Sequence, residues 1–244
     1  MRPSFIEVNL NNLRYNLESI RKHTHNRPIM AVVKSNAYGH GLLEVSKFLE
    51  KQGVNSLGVA LLEEGICLRE NGINLPIVVF GEAIQDQIPQ YLNWNLEFFV
   101  SSTDILRITE KICKESAQNA KVHLKFDSGM GRIGTLTSNS ERFIEEAVRL
   151  KHIKIKGVCS HLACADDPEN TLTNEQVDRF LSAVEIFESL GVEMPLNRLP
   201  LLQKQIVNKC LQHKKPVIIA TQMLDSMTTN LTPTRAIGLT CFKS

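Results

Sequence analysis

The sequence predicts an α/β fold of the TIM type, a (β/α) barrel that is incomplete and has about seven strands. Short apolar runs alternate with longer amphipathic stretches along the chain. The runs are apolar almost throughout, which is typical of parallel strands covered by helices on both faces. The predicted strands cover residues 28–34, 56–60, 76–81, 96–101, 122–127, 155–161 and 216–221.

Apolar residues recur at helical spacing between these strands. The pattern predicts helices over residues 41–52, 105–116 and 174–190, each with an apolar face that can pack on the sheet. No sequence repeat, low-complexity tract or Gly/Ser linker divides the chain. We therefore expect one fused core.

Length, charge and cysteine usage narrow the class of protein. A chain of 244 residues suits a single barrel, and its formal net charge of +2 gives no reason to expect a nucleic acid or an anionic membrane as partner. No apolar run has the length of a signal peptide or a membrane span. The six cysteines are scattered through core-like segments, which fits a reducing compartment. These features predict a cytoplasmic protein.

Cys159, His161 and Cys164 lie close together in the stretch VCSHLACAD and form the one candidate metal cluster. No second ligand pair follows at the spacing of a zinc finger. Buried core thiols are therefore the favoured interpretation, and we expect no metal.

Lys34 ends the first apolar run and is followed by SNAYGHG. In a barrel, the carboxyl ends of the strands and the loops after them hold the active site. Burial can lower the pKa of a lysine there and leave a neutral amine for a Schiff base with an aldehyde cofactor. Gly39 and Gly41 allow a close turn past a ligand, and Tyr38 can offer a hydroxyl to a phosphate. A lone lysine at such a position is more often a surface residue that closes a strand.

Three motifs in order resemble the alanine racemase family, pyridoxal 5′-phosphate enzymes that interconvert L- and D-alanine. AVVKSNAYGHG, which contains Lys34, resembles the cofactor-lysine motif. HLKFDSGMGRIG (residues 123–134) resembles the strand-five motif, and GVCSHLACADDP (residues 157–168) resembles the strand-six motif. The resemblance covers residues 1 to about 190 and implies a barrel domain that binds pyridoxal phosphate.

The resemblance also implies a set of site residues. Lys34 matches the Schiff-base lysine, which is one of two racemising bases, and Tyr38 matches the ligand of the cofactor phosphate. Arg132 matches the arginine beside the cofactor phenol and the substrate carboxylate, and His161 matches the histidine near the cofactor ring. The implied catalytic residues are Lys34, Arg132 and His161. Lys125 matches a lysine, often carbamylated, that supports the arginine. His161 could instead be a hydrogen-bonded core histidine, and Lys125 could simply cap a strand.

Residues 190–236 instead resemble a short part of the pyruvate kinase barrel, and residues 237–244 resemble neither family. Thr221 matches a threonine near the transferred phosphoryl group of that kinase, whereas Glu188 and Ser189 stand where the kinase has its metal-binding run. We expect a fusion in which the segment 190–236 packs as part of the same domain as residues 1–190. The eighth barrel strand and the C-terminal β-domain of the racemases are expected to be missing.

The expected function is that of an alanine-racemase-like protein that binds pyridoxal phosphate and alanine, and a homodimer is compatible with it. We expect impaired catalysis, because the second base of the family is a tyrosine from the β-domain, and Tyr15, Tyr38 and Tyr91 all lie too early to replace it. One alternative is a single-barrel protein of the pyridoxal-phosphate homeostasis type, without turnover. The other is an inactive fragment related to pyruvate kinase, which transfers a phosphoryl group between phosphoenolpyruvate and ADP.

Overall fold

The computed structural model describes residues 6–165, 167, 170–190 and 239–240, and within these ranges the chain is an α/β fold of the TIM-barrel type. None of the described helices is long and apolar enough to cross a lipid bilayer. The strands are β1 Met30–Val32, β2 Ser56–Val59, β3 Ile77–Glu82, β4 Glu97–Val100, β5 Ala120–Asp127, β6 Thr135–Leu136, β7 Ile153–Cys159 and β8 Leu239–Thr240. The helices are α1 Leu10–His23, α2 Lys34–Tyr38, α3 Leu42–Lys51, α4 Leu62–Glu70, α5 Ile88–Asn93, α6 Thr103–Ser116, α7 Ser140–Arg149 and α8 Leu172–Ser189.

The strands follow chain order across one sheet. From β1 to β5 each strand pairs in parallel with the next, and β7 continues the sheet as a parallel neighbour of β5. The short strand β6 pairs only with the last two residues of β5. Parallel strands in chain order with intervening helices form the wall of a TIM-type barrel. In the described part of the chain, no strand pairing joins β7 to β1.

The predicted strands between residues 28 and 161 correspond to β1 to β5 and β7, and the three predicted helices correspond to α3, α6 and α8. The predicted strand at residues 216–221 lies outside the described residues. The strand that pairs with β1 on its other side is β8, which lies in the segment 237–244, for which the sequence predicts no element of the barrel. It runs antiparallel, with Ala31 opposite Leu239. An edge strand presents unpaired N–H and C=O groups that any extended segment can satisfy, whatever its ancestry.

The side chains of each strand alternate between an apolar outer layer and an inner layer that also holds the buried side chains of Glu97, His123 and Lys125. On the outer face, Phe126 packs under the helices and meets Phe143 edge-on, with ring centroids 5.8 Å apart. On the inner face, Phe80 stacks on Phe99 at 5.1 Å. Gly58 makes room for this pair, because a Cβ at that position would overlap the ring of Phe80.

Arg69, in the last turn of α4, binds the chain at the amino ends of β3 and β4, the end of the sheet opposite the carboxyl ends of the strands. Its guanidinium donates to the carbonyl oxygens of Ile73 and Leu75, each at 2.7 Å, and of Trp94 and Asn95, each at 3.1 Å. These carbonyls belong to the segment before β3 and to the turn before β4. One side chain therefore holds two neighbouring connections in register.

Candidate active site

The segment α2, which begins with Lys34 two residues after the end of β1, is a left-handed turn and not a regular α-helix. Ser35, Asn36, Ala37 and Tyr38 have φ angles between 51° and 56°, in the left-handed region that L-residues rarely occupy. Each residue in this conformation costs roughly 1–2 kcal/mol, so contacts from the rest of the fold must hold the turn. The prediction that Lys34 closes the strand was wrong, because β1 ends at Val32. The change of backbone hand moves the lysine onto the turn itself.

Glu64, in the first turn of α4, holds this left-handed turn. Its Oε1 accepts a hydrogen bond from the Ser35 amide at 2.5 Å, and its Oε2 accepts from the amides of Ala60 and Leu61 at 2.8 and 3.1 Å. One carboxylate thus caps the start of α4 and binds the turn after the neighbouring strand. Sequence reasoning missed this residue, although a glutamate in the first turn of a helix that follows a strand is a known capping signal.

The turn brings Lys34 and Tyr38 close to each other. The Lys34 Nζ lies 6.0 Å from the centroid of the Tyr38 ring. Burial and then the positive charge of Arg132 lower the pKa of Lys34, while Glu64 opposes this shift. Burial and then Glu64 raise the pKa of the Tyr38 hydroxyl. A larger share of the lysine is therefore a neutral amine, and the tyrosine remains a hydrogen-bond donor at neutral pH.

The loop that carries Arg132 is anchored by Asp127, the last residue of β5. The carboxylate accepts hydrogen bonds from the amides of Gly129 and Met130 at 2.8 Å and of Gly131 at 2.9 Å. Burial alone would raise the pKa of Asp127, but the three amides outweigh it and lower this pKa. Sequence reasoning missed Asp127. An aspartate just before a glycine-rich loop is a recognisable signal for such an anchor.

The same loop closes tightly against the strand it leaves. Gly134 has a φ of +139°, and a Cβ there would overlap backbone atoms of Phe126 and Asp127. The Arg132 side chain is exposed, yet its charge is near enough to lower the pKa of Lys34. The guanidinium is thus available to a ligand beside the amine.

Lys125 is buried on β5, opposite Cys159 of β7. Its Nζ donates to the carbonyl oxygen of Phe126 at 2.8 Å, and burial lowers its pKa. Burial raises the pKa of the Cys159 thiol to about 12. Within the described ranges, no three His, Cys, Asp or Glu side chains are grouped as a metal site would need. The supporting role of Lys125 toward Arg132 stays a prediction, because its hydrogen bond goes to the backbone.

His161 lies two residues beyond the end of β7 and has a buried ring nitrogen. Its Nε2 has no hydrogen-bond partner in the structure, while its backbone carbonyl accepts from Gln176 on α8 at 3.1 Å. Burial, then the positive charges of Arg132, Lys125 and Lys34, lower the pKa of His161 to about 4. The imidazole is therefore neutral at neutral pH, with one nitrogen that a ligand could engage.

The structure brings the predicted site residues together at the carboxyl ends of β1, β5 and β7. Lys34, Lys125 and Arg132 all act on the pKa of His161, and Arg132 also acts on the pKa of both lysines. Tyr38 joins them through its contact with Lys34. An amine of lowered pKa, a hydroxyl, a guanidinium and a neutral imidazole can together bind an anionic ligand and move a proton.

Comparison with known proteins identifies relatives that match most of the chain. The profile of the family described as alanine racemase, N-terminal domain, matches residues 8–199. Alanine racemase 2 of Bacillus subtilis is 36% identical over 198 residues, which are 80% of this chain and 50% of that protein. Alanine racemase of Clostridium difficile 630 in complex with cycloserine gives a TM-score of 0.73 at 35% identity, over 77% of this chain and 52% of that one. The structure of alanine racemase from Bacillus anthracis with bound L-Ala-P gives a TM-score of 0.71 at 30% sequence identity. That match covers 78% of this chain and 51% of the other.

The chain spans about half the length of the curated relatives it matches. A second profile, described as pyruvate kinase, barrel domain, matches residues 175–240. This match begins inside α8 and overlaps the first one up to residue 199. Thr221 lies outside the described residues.

Proposed function

The chain belongs to the alanine racemase N-terminal domain family, and on that basis we propose that it binds pyridoxal 5′-phosphate through the Lys34 amine and acts on alanine. The observation that carries the proposal is the convergence of Lys34, Tyr38, Arg132 and His161 at one end of the sheet. When bound, the cofactor supplies an electron sink that stabilises a carbanion.

The side chains fit such a group. The amine of Lys34 suits an aldehyde, and the Tyr38 hydroxyl and the Arg132 guanidinium suit its anionic substituents. The fit is clearest at His161, whose buried Nε2 has no protein partner. A buried polar atom left without a partner costs roughly 1–3 kcal/mol, so a ligand that provides a hydrogen bond there recovers that free energy.

The chain's own groups can divide the work of proton transfer. Arg132 can hold the carboxylate of an amino acid with two parallel hydrogen bonds. Lys34, with its lowered pKa, can accept a proton from the α-carbon on one face and return it.

We further propose that the 244-residue polypeptide by itself racemises alanine only weakly. Racemisation requires a base on each face of the α-carbon, and Lys34 serves one face. Tyr91 is buried against Phe98, with ring centroids 4.5 Å apart, and Tyr15 is exposed on α1. Neither is among the groups that act on the pKa of Lys34 or His161. Loss of one positioned acid–base group lowers a rate by a factor on the order of 10²–10⁴.

Borohydride treatment in the presence of pyridoxal phosphate, followed by peptide mapping, tests the cofactor proposal. The pyridoxyl label should map to Lys34. The Lys34→Ala variant should lose both the visible absorbance band of the bound pyridoxal phosphate and the label. Lys51→Ala changes an exposed lysine on α3 and should retain both. Label on another residue of the wild-type chain would contradict the proposal.

Measured turnover separates the racemase from the alternative of a cofactor-binding protein without turnover. A slow interconversion of L- and D-alanine that disappears in Lys34→Ala supports the racemase. Binding of the cofactor without any interconversion supports the alternative. A rate on the order of 10 per second or more would show that one base is not the limit.

The rim of the site carries exposed apolar side chains, which support the proposal of a homodimer. Leu61, Ile84 and Leu136 are 59%, 54% and 58% exposed and follow or lie beside the carboxyl ends of β2, β3 and β5. Apolar residues grouped on a surface commonly mark a protein interface. Sedimentation equilibrium with and without pyridoxal phosphate tests the association. The cytoplasmic location stays a prediction.

We propose that residues 190–236 derive from a pyruvate-kinase-like barrel, and the match over residues 175–240 supports this origin. Phosphoryl transfer needs a metal clamp and a positioned cation at the transferred group. Since Glu188 and Ser189 stand in place of the metal-binding run, we expect no magnesium-dependent formation of ATP from phosphoenolpyruvate and ADP. A positive coupled assay would overturn that expectation.

A further inference from the structure

We propose that Glu64 is a positioning residue for the Lys34 amine. Its carboxylate binds the first amide of the left-handed turn that runs from Ser35 to Tyr38, directly after Lys34. The inference deepens the proposed function and rests on it in one respect, the identity of Lys34 as the residue that receives the cofactor.

The carboxyl ends of β1 and β2 lie next to each other in the sheet. Val32 of β1 pairs with Gly58 of β2, so the turn that follows β1 lies beside the start of α4. Glu64 bridges the gap with different oxygens, Oε1 toward Ser35 and Oε2 toward Ala60 and its neighbour. A turn of four left-handed residues is intrinsically unfavourable, so a charged acceptor on its first amide stabilises it directly.

Charged side chains from several parts of the fold act on the Lys34 amine. The groups that face Lys34 come from four parts of the fold: Tyr38 from its own turn, Glu64 from α4, Arg132 from the loop after β5, and His161 from the segment after β7. Arg132 and burial both favour the neutral amine, whereas Glu64 favours the ammonium form. Glu64 also acts on the Tyr38 hydroxyl and raises its pKa. The carboxylate therefore sets how far the pKa of the amine falls.

Two substitutions separate the contact from the charge. Glu64→Gln removes the charge, and its single acceptor oxygen can serve either the amides of Ala60 and Leu61 or that of Ser35, but not both sides. Glu64→Asp keeps the charge but is one methylene shorter, so it loses its reach to Ser35. Glu63→Gln removes a charge from the same turn of α4 at an exposed position and is the matched control.

The first measurement is the titration of Lys34 in the cofactor-free chain, by trace acetylation with acetic anhydride at a series of pH values and peptide mapping. The midpoint for Lys34 should move to lower pH in Glu64→Gln, because the charge that favours the ammonium form is gone. It should move less in Glu64→Asp and stay unchanged in Glu63→Gln. This measurement needs no bound cofactor.

The second measurement is the affinity for pyridoxal phosphate, followed by visible absorbance. Both Glu64 variants should bind about tenfold or more weakly, the factor that corresponds to the loss of a hydrogen bond to a charged acceptor. The Glu63→Gln variant should bind like the wild-type chain.

An unchanged Lys34 midpoint in Glu64→Gln together with unchanged affinities would overturn the proposal. Thermal melting of the cofactor-free variants shows whether they fold. If neither Glu64 variant folds, the residue belongs to the fold rather than to the site, and the proposal is wrong. If the wild-type chain binds no pyridoxal phosphate, the proposed function fails, while the acetylation titration still decides whether Glu64 controls Lys34.

Discussion

Replacing Asp127 with alanine should release the loop that carries Arg132. The carboxylate binds the amides of Gly129, Met130 and Gly131. An amide that loses its partner costs roughly 1–3 kcal/mol when water cannot replace it. Gly129 and Gly131 are exposed, so water recovers part of this cost. We therefore expect a loss of about 2–4 kcal/mol, a large share of the total stability of about 5–15 kcal/mol that is usual for a domain.

Urea unfolding of the wild-type chain, Asp127→Ala and the control Asp104→Asn measures this loss. Asp104 is an exposed residue on α6, 3.9 Å from Arg107, and its substitution should change the free energy of unfolding by less than about 0.5 kcal/mol. The affinity for pyridoxal phosphate should fall with Asp127→Ala, because Arg132 loses its fixed position. A variant as stable as the control would refute the view that Asp127 anchors the loop.

The pH dependence of the same variant has a definite sign. The folded state lowers the pKa of Asp127 below its ordinary value of 3.8. Its contribution to stability is therefore fully present above that value and is lost as the pH falls through the folded-state pKa. The difference in stability between wild type and Asp127→Ala should shrink in that acid range. A difference that stays constant there would mean that the charge of Asp127 contributes nothing.

Three further substitutions test the fold around the site, each by urea unfolding. Arg69→Lys should lower the free energy of unfolding by about 2–4 kcal/mol. The guanidinium binds carbonyls on two connections, and a single ammonium group cannot reach both. Gly134→Ala should cost more than Gly72→Ala; both glycines have positive φ, but only at Gly134 would a Cβ overlap backbone, so equal losses would contradict the steric argument. Glu110→Gln should cost about 0.5–1 kcal/mol. Hydrogen bonds from His152 outweigh burial and lower the pKa of Glu110, so this loss should be present above pH 4.5 and vanish as the pH falls through the folded-state pKa.

The strands β1 to β4 could be predicted because most of their residues are apolar on both faces. Leu57 and Val59 pack under the helices, and Val78 and Phe99 pack inside, so the runs stand out from the amphipathic segments between them. The side chains predicted for the site also follow the carboxyl ends of parallel strands, which meet at one edge, while their roles stay a prediction. The short strand β6 and helices α1, α4, α5 and α7 were not predicted.

The backbone around Lys34 could not be predicted from local preference. Ser35, Ala37 and Tyr38 are not residues that favour positive φ, and the turn depends on a hydrogen bond to Glu64, 29 positions away. The strand β8 has the same origin in tertiary contact. Two residues of no marked pattern are extended there because β1 offers an unpaired edge.

The hand of the turn after β1 limits the amino acids that can stand next to the lysine. A β-branched side chain is a severe outlier at positive φ, so valine, isoleucine and threonine should be rejected at positions 35, 36 and 37. Glycine, asparagine and aspartate tolerate that conformation. Alanine and serine, which occur here, adopt it at a moderate cost in free energy. Backbone geometry therefore restricts which amino acids can replace residues 35, 36 and 37, independently of the ligand that Lys34 binds. We therefore expect few substitutions to be accepted at these three positions, even where a side chain makes no contact.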